Sequence, residues 1–78
     1  MKVILRLDQA GMKQTIYTSE RNLSDVMREL YEEKLNQCRR DEVEITEDET
    51  WCDKEDAQIV SNNWYISEFK IVDVVEVK

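Results

Sequence analysis

Histidine and proline are absent from this chain, glycine occurs once, as Gly11, and cysteine twice, as Cys38 and Cys52. Without histidine there is no Ser-His or Cys-His nucleophile pair, no imidazole zinc ligand and no side chain whose ordinary pKa suits it to proton transfer near neutrality. One glycine cannot build a phosphate-cradling loop, and two cysteines set fourteen positions apart do not form a zinc knuckle. A carboxylate pair can still catalyse, but nothing in the order of residues sets two acids around a pocket. The expectation is a protein without enzymatic activity, cofactor or resident metal.

Long apolar runs are missing as well. The uncharged apolar stretches are a few residues long, far below the ~20 a membrane-spanning helix needs. Met1-Lys2-Val3-Ile4-Leu5-Arg6 carries charge inside its apolar run and lacks a small-residue cleavage site, so it reads as a strand rather than a signal peptide. With no sign of export, the expected location is the cytoplasm and the expected state of both cysteines is reduced. Seventy-eight residues predict a single domain spanning 1–78. A core of that size is small, and a pocket of roughly 300–1,000 Å³ would consume much of it. Surface recognition is the expected mode of action.

What is present is periodic. Val3, Leu5 and Leu7 alternate with Ile4, Arg6 and Asp8, and a strand pattern resumes over residues 13–18 beyond Gly11, which predicts an N-terminal β-hairpin. Leu23, Val26, Met27, Leu30, Tyr31, Leu35 and Cys38 fall on one face of a 3.6-residue period. Asn22 is placed to cap that helix, Asp25 suits its first turn, Arg39 and Arg40 suit its last, and Arg28 and Glu32 are an i,i+4 pair. After the helix, Val43 and Ile45 alternate with Glu42 and Glu44, which predicts a strand with one acidic face. Residues 53–60 are compatible with a strand or a helical turn. Ser61-Asn62-Asn63 signals a turn, and Trp64 to Val77 reads as one long strand. Its phase breaks, because Tyr65, Phe69 and Ile71 share a parity that Val72 and Val74 do not. A bulge near Ile71 to Asp73, or burial on both faces, reconciles them. The fold class that follows is α+β, a small antiparallel sheet in a ββαββ-like order with one amphipathic helix on one face.

One asymmetry dominates. Residues 41–56 hold Asp41, Glu42, Glu44, Glu47, Asp48, Glu49, Asp53, Glu55 and Asp56 against Lys54 alone, half of the eighteen acids of a chain whose formal net charge is −7. The rest of the chain is nearly neutral. Trp51 sits inside this run and Trp64-Tyr65 follows it. Crowded like charges weaken a compact state. The stretch is therefore either a solvated loop that aids solubility or a surface for a basic partner, with Trp51 as its aromatic anchor. The residues expected to meet that partner are Glu42, Glu44, Glu47, Asp48, Glu49, Trp51, Asp53, Glu55 and Asp56. A net negative charge disfavours direct nucleic-acid binding and points instead to proteins that themselves grip nucleic acid. Glu42 and Glu44 on a strand stand only about 6.6 Å apart, sparser than a duplex's phosphates, so nucleic-acid mimicry depends on how residues 47–56 fold back.

Two alternatives remain open. One is a structural or accessory subunit, monomer or homodimer, that associates through its sheet edge with the long C-terminal strand as that edge. The other is a divalent-cation site made by Asp53, Glu55 and Asp56 with Glu47 to Glu49, although the run lacks the spacing of an EF-hand loop. In composition (short, acidic, α+β, without histidine or proline) the chain resembles the small proteins of phages and mobile elements that inhibit host nucleic-acid enzymes, anti-CRISPR proteins among them. That resemblance implies an inhibitor that works by binding.

Overall fold

The computed structural model describes residues 2–9, 11–62 and 64–73. Strands β1 (Lys2–Asp8) and β2 (Lys13–Tyr17) form the expected hairpin, with Gly11 in its turn at φ +88°. Helix α1 (Leu23–Arg40) follows, then a 3-10 turn (Glu47–Glu49), the two-residue β3 (Trp51–Cys52), β4 (Asp56–Ser61) and β5 (Trp64–Asp73). All pairings are antiparallel, and the sheet order is β2-β1-β5-β4-β3. The α+β architecture therefore holds, with a short extra strand and an order in which the first and last strands lie side by side. No helix among the described residues is long and apolar enough to cross a membrane.

The helix is built as its sequence predicts. Asn22 Oδ1 accepts from the Ser24 amide at 3.0 Å, Asp25 lies in the first turn, and Arg39 and Arg40 lie in the last. Arg28 Nε is 3.6 Å from Glu32. A pairing that the periodicity did not show ties the approach segment to the helix, where Arg21 donates two bonds to Glu29 at 2.9 and 2.7 Å. That contact holds the exposed Glu29 carboxyl below its ordinary pKa and raises Arg21 in turn.

α1 packs across β1, β5 and β4. Met27 and Cys38 are buried from the helix side against Ile4, Ala57, Ile59 and Phe69 of the sheet, and the Tyr31 ring meets Phe69 edge-on at 6.3 Å. The structure shows which of the two alternating faces of β1 lies inward. The face beneath the helix carries Ile4, Arg6 and Asp8, while Leu5 and Leu7 lie half-buried on the opposite face and Val3 is buried there. The polar pair can turn inward because it is satisfied there. Arg6 Nε donates to Asp8 Oδ2 at 3.1 Å, the Ser67 hydroxyl donates to Asp8 Oδ1, and the Arg6 guanidinium lies 5.6 Å from the Tyr17 ring centroid. Buried polar groups survive in a core on that condition.

β5 takes the second of its two expected forms, with burial on both faces. Its register with β1 runs unbroken from Ser67 to Asp73, so no bulge lies at Ile71 to Asp73, and Ile71 and Val72 are half-buried on opposite faces. The irregularity falls instead between Ile59 and Val60, which pair with Ser67 and Tyr65 and leave Ile66 as the extra residue. Residues 56–61 are strand rather than helical turn, and Asn62 at φ +49° starts the turn into β5. Val74 and Val77 of the expected strand lie outside the described residues.

Candidate acidic interface

The acidic segment begins with the end of α1 rather than with a strand. Glu42 stands at φ +59°, its amide donates to the Arg39 carbonyl at 3.1 Å, and the Val43 amide donates to the Cys38 carbonyl at 2.9 Å. This crossed pair of bonds is the usual closure of a helix, and it places a left-handed residue where glycine is commonest. The closure uses up the first residues of the expected strand, and 43–46 then run as irregular chain. Alternation survives in exposure alone: Val43 and Ile45 pack against the core, while Glu42 and Glu44 face solvent.

From residue 44 onward the chain borders the free side of β4. The Ser61 hydroxyl donates to the Glu44 carbonyl, and the Thr46 amide donates to the Val60 carbonyl at 2.8 Å. The 3-10 turn then lifts the backbone away from the ladder, and side chains bridge the gap. Thr50 Oγ1 accepts from the Val60 amide at 3.1 Å, Gln58 Nε2 donates to the Glu49 carbonyl at 2.7 Å, and the Asn62 amide donates to Thr46 Oγ1 at 3.0 Å. Regular pairing resumes for Trp51 and Cys52 opposite Gln58 and Ala57, and a turn closed by Asp53 N–H to Asp56 O at 2.8 Å leads into β4.

The acids are consequently strung along one border of the sheet. Glu42, Glu44, Glu47, Asp48, Glu49, Asp53 and Glu55 are exposed, and Asp56 is half-buried on the open face opposite Lys70. Among the described residues only Glu55 of this set has an ion-pair partner, Lys2, at 4.0 Å with both ends exposed. Such a contact is worth little. Glu47, Asp48 and Glu49 are adjacent on the 3-10 turn, and their carboxylates accept no bond within the described residues. Trp51, 38% exposed, stands between the two acidic groups with its ring on the face that the helix leaves open.

Other expected contributors separate from this edge. Tyr65 is exposed on the open face, whereas Trp64 lines a cleft with Asp8, Lys13, Lys34 and Ile66 on the helix side. The cysteines are free; burial raises both thiols above their ordinary pKa, against the partial opposing effect of Lys34 at Cys38 and Arg28 at Cys52. Thiols held protonated are poor nucleophiles. Among the described residues no three Cys, Asp or Glu side chains converge as ligands, so the geometry lends the cation reading no support. The reading of the C-terminal strand as a sheet edge is overturned, because β5 lies between β1 and β4. Neither Lys34 beside Trp64 nor the splice by Thr50 carried a signal in the sequence, since both depend on strand order.

No family model, curated protein or solved structure matches the chain.

Proposed function

We propose that the protein is a non-catalytic binding protein that offers the edge formed by residues 41–56 to a basic surface of a protein partner. The observation that carries this reading is the 3-10 turn: three consecutive carboxylates, exposed and without cation partners among the described residues, next to a partly exposed tryptophan. A 3-10 turn rises about 2.0 Å per residue. Over its length the acids therefore follow one another almost as closely as the charges of a duplex, one per about 1.7 Å of axis. A strand would have spaced consecutive acids about 3.3 Å apart along its axis and turned them to alternating faces. The partner class this density suits is a protein that grips nucleic acid, in keeping with the compositional resemblance to inhibitors carried by phages and mobile elements. Trp51 supplies the apolar contact that a purely ionic surface lacks.

The test compares the wild type with E47Q/D48N/E49Q in capture from host lysate at low and high salt, with duplex DNA as competitor. These side chains bond to nothing within the described fold, so the variant is expected to fold normally. The captured protein should be released by salt, displaced by DNA and missed by the triple variant. Capture of the same protein by the triple variant, undiminished, sinks the reading.

A further inference from the structure

The two edges of the sheet are finished differently. The β3 border is two residues of strand, an acidic turn and a set of side-chain bonds, all of which obstruct an incoming strand. β2 has five residues of regular strand, no proline, no bulge, and a single lysine at one end. Edges left this plain are templates for strand addition.

The ladder fixes which backbone groups β2 leaves open. Gln9 N–H donates to the Ile66 carbonyl at 2.8 Å, continuing the register in which Leu7 faces Glu68 and Leu5 faces Lys70. Antiparallel bonding alternates, so the odd-numbered residues of β1 bond to β5 and the even-numbered ones to β2. The bond from Ile71 N–H to the Glu55 carbonyl gives the same phase from the other side of β5. Opposite Asp8, Arg6 and Ile4, the residues Lys13, Thr15 and Tyr17 are therefore tied inward. Gln14 and Ile16 turn N–H and C=O outward, and both are exposed, Ile16 by 50%.

Charge selects the occupant. β2 carries a lysine and no acid, whereas the acidic surplus lies along the opposite edge, about 19 Å away across the strand spacings. Two copies of a chain with net charge −7 repel at nearly every approach. Joined at β2, their acidic edges would stand about 40 Å apart, several screening lengths at physiological salt. We propose that β2 pairs antiparallel with β2 of a second copy, about a two-fold axis at Thr15. That register alone pairs the whole of Lys13–Tyr17 with itself. It sets Gln14 against Ile16, which exchange their open backbone bonds, Thr15 against Thr15, and the Lys13 ammonium against the Tyr17 ring. No like charges face each other, and Thr–Thr and cation–aromatic cross-strand pairs are favourable. The dimer is a continuous sheet with an acidic border at each end. It presents two copies of the proposed binding edge to different partners, and its assembly can be read without any partner.

Sedimentation equilibrium of the whole chain tests the proposal. The wild type should show a concentration-dependent monomer–dimer equilibrium below about 1 mM, weak because the paired area is small. Gln14→Pro removes only an outward N–H, which an edge strand tolerates, so it should be monomeric with an unchanged circular dichroism spectrum. Thr15→Lys and Thr15→Glu should each be monomeric, and an equimolar mixture of the two should restore dimer. A wild type that stays monomeric to about 1 mM overturns the proposal. So does a Gln14→Pro variant that dimerises like the wild type, or a mixture that remains monomeric while the wild type dimerises.

Discussion

Individual residues here often hold positions that their type alone would not suggest. Asp8 is 7% exposed and Ser67 fully buried, yet both are satisfied because Arg6, Asp8 and Ser67 converge from adjacent strands. Removing any one leaves a buried polar atom wanting, which is the costly half of a hydrogen bond. Glu42 shows the opposite case, a non-glycine residue in a left-handed conformation at an exposed site. A side chain there costs about 1–2 kcal/mol, partly offset by the greater backbone entropy that glycine loses on folding. Glu42→Gly should therefore raise the unfolding free energy by about 0.5–1 kcal/mol, read as a higher urea midpoint with an unchanged m-value. A lower midpoint would show that Glu42 makes a contact worth more than its backbone strain. The same substitution removes one of the proposed contact charges, so a gain in stability with a loss of binding would separate its two roles.

At the scale of elements, the outer border of β4 is the least conventional part of the fold. Thr50 Oγ1 does for Val60 what a neighbouring strand's carbonyl would ordinarily do. Thr50→Val keeps the volume and leaves the buried Val60 amide without its acceptor, at a cost of about 1–3 kcal/mol. Thr50→Ser keeps the hydroxyl and should cost less than half as much. Hydrogen exchange provides a local readout: the Val60 amide should exchange markedly faster in the valine variant, and equal protection in both would show that Thr50 is dispensable. The helix and the hairpin were legible because periodicity and caps are written in neighbouring residues. The run 42–46 misled because alternation reports which side chains face inward, and an irregular chain laid along a sheet alternates as a strand does. Alternation alone does not say which face of β1 turns inward, for a related reason. Val3, Leu5 and Leu7 are the more apolar set, but Ile4 aligns with Ile71 and Tyr17, and that alignment exists only after the strands are ordered. The acidic edge was visible as composition. Its geometry depends on the 3-10 turn, which no local residue preference announced.

For the molecule as a whole, charge is divided by edge. Four ion pairs are formed among the described residues, and three of them are at the surface, so screening them loses little. Screening the repulsion along residues 41–56 gains more, because those acids are numerous and, among the described residues, only Glu55 of the set has an ion-pair partner. Adding salt from about 10 mM to about 300 mM shortens the screening length from about 30 Å to less than 8 Å. The melting temperature of the isolated protein should rise over that range, and E47Q/D48N/E49Q should show a smaller rise from a higher starting point. A wild-type melting temperature that falls with salt would mean that the surface pairs outweigh the acidic edge.

The place of β5 between β1 and β4 also bears on how the chain reaches its structure. The pairing of Lys2 with Asp73 joins the beginning of the sheet to its far end in sequence, and it occupies the sheet's centre. During synthesis the hairpin and helix emerge early, but the strand that covers both β1 and β4 emerges late. Until then β1 and β4 lack the neighbour that joins them, and Met27 and Cys38 lack Phe69. Contacts of such long sequence separation must overcome loop-closure entropy before they stabilise anything, and they slow folding accordingly. The emerging chain therefore acquires its acidic segment before the core that will hold it, and charge keeps the unfinished sheet apart from its neighbours while it waits for its last strand.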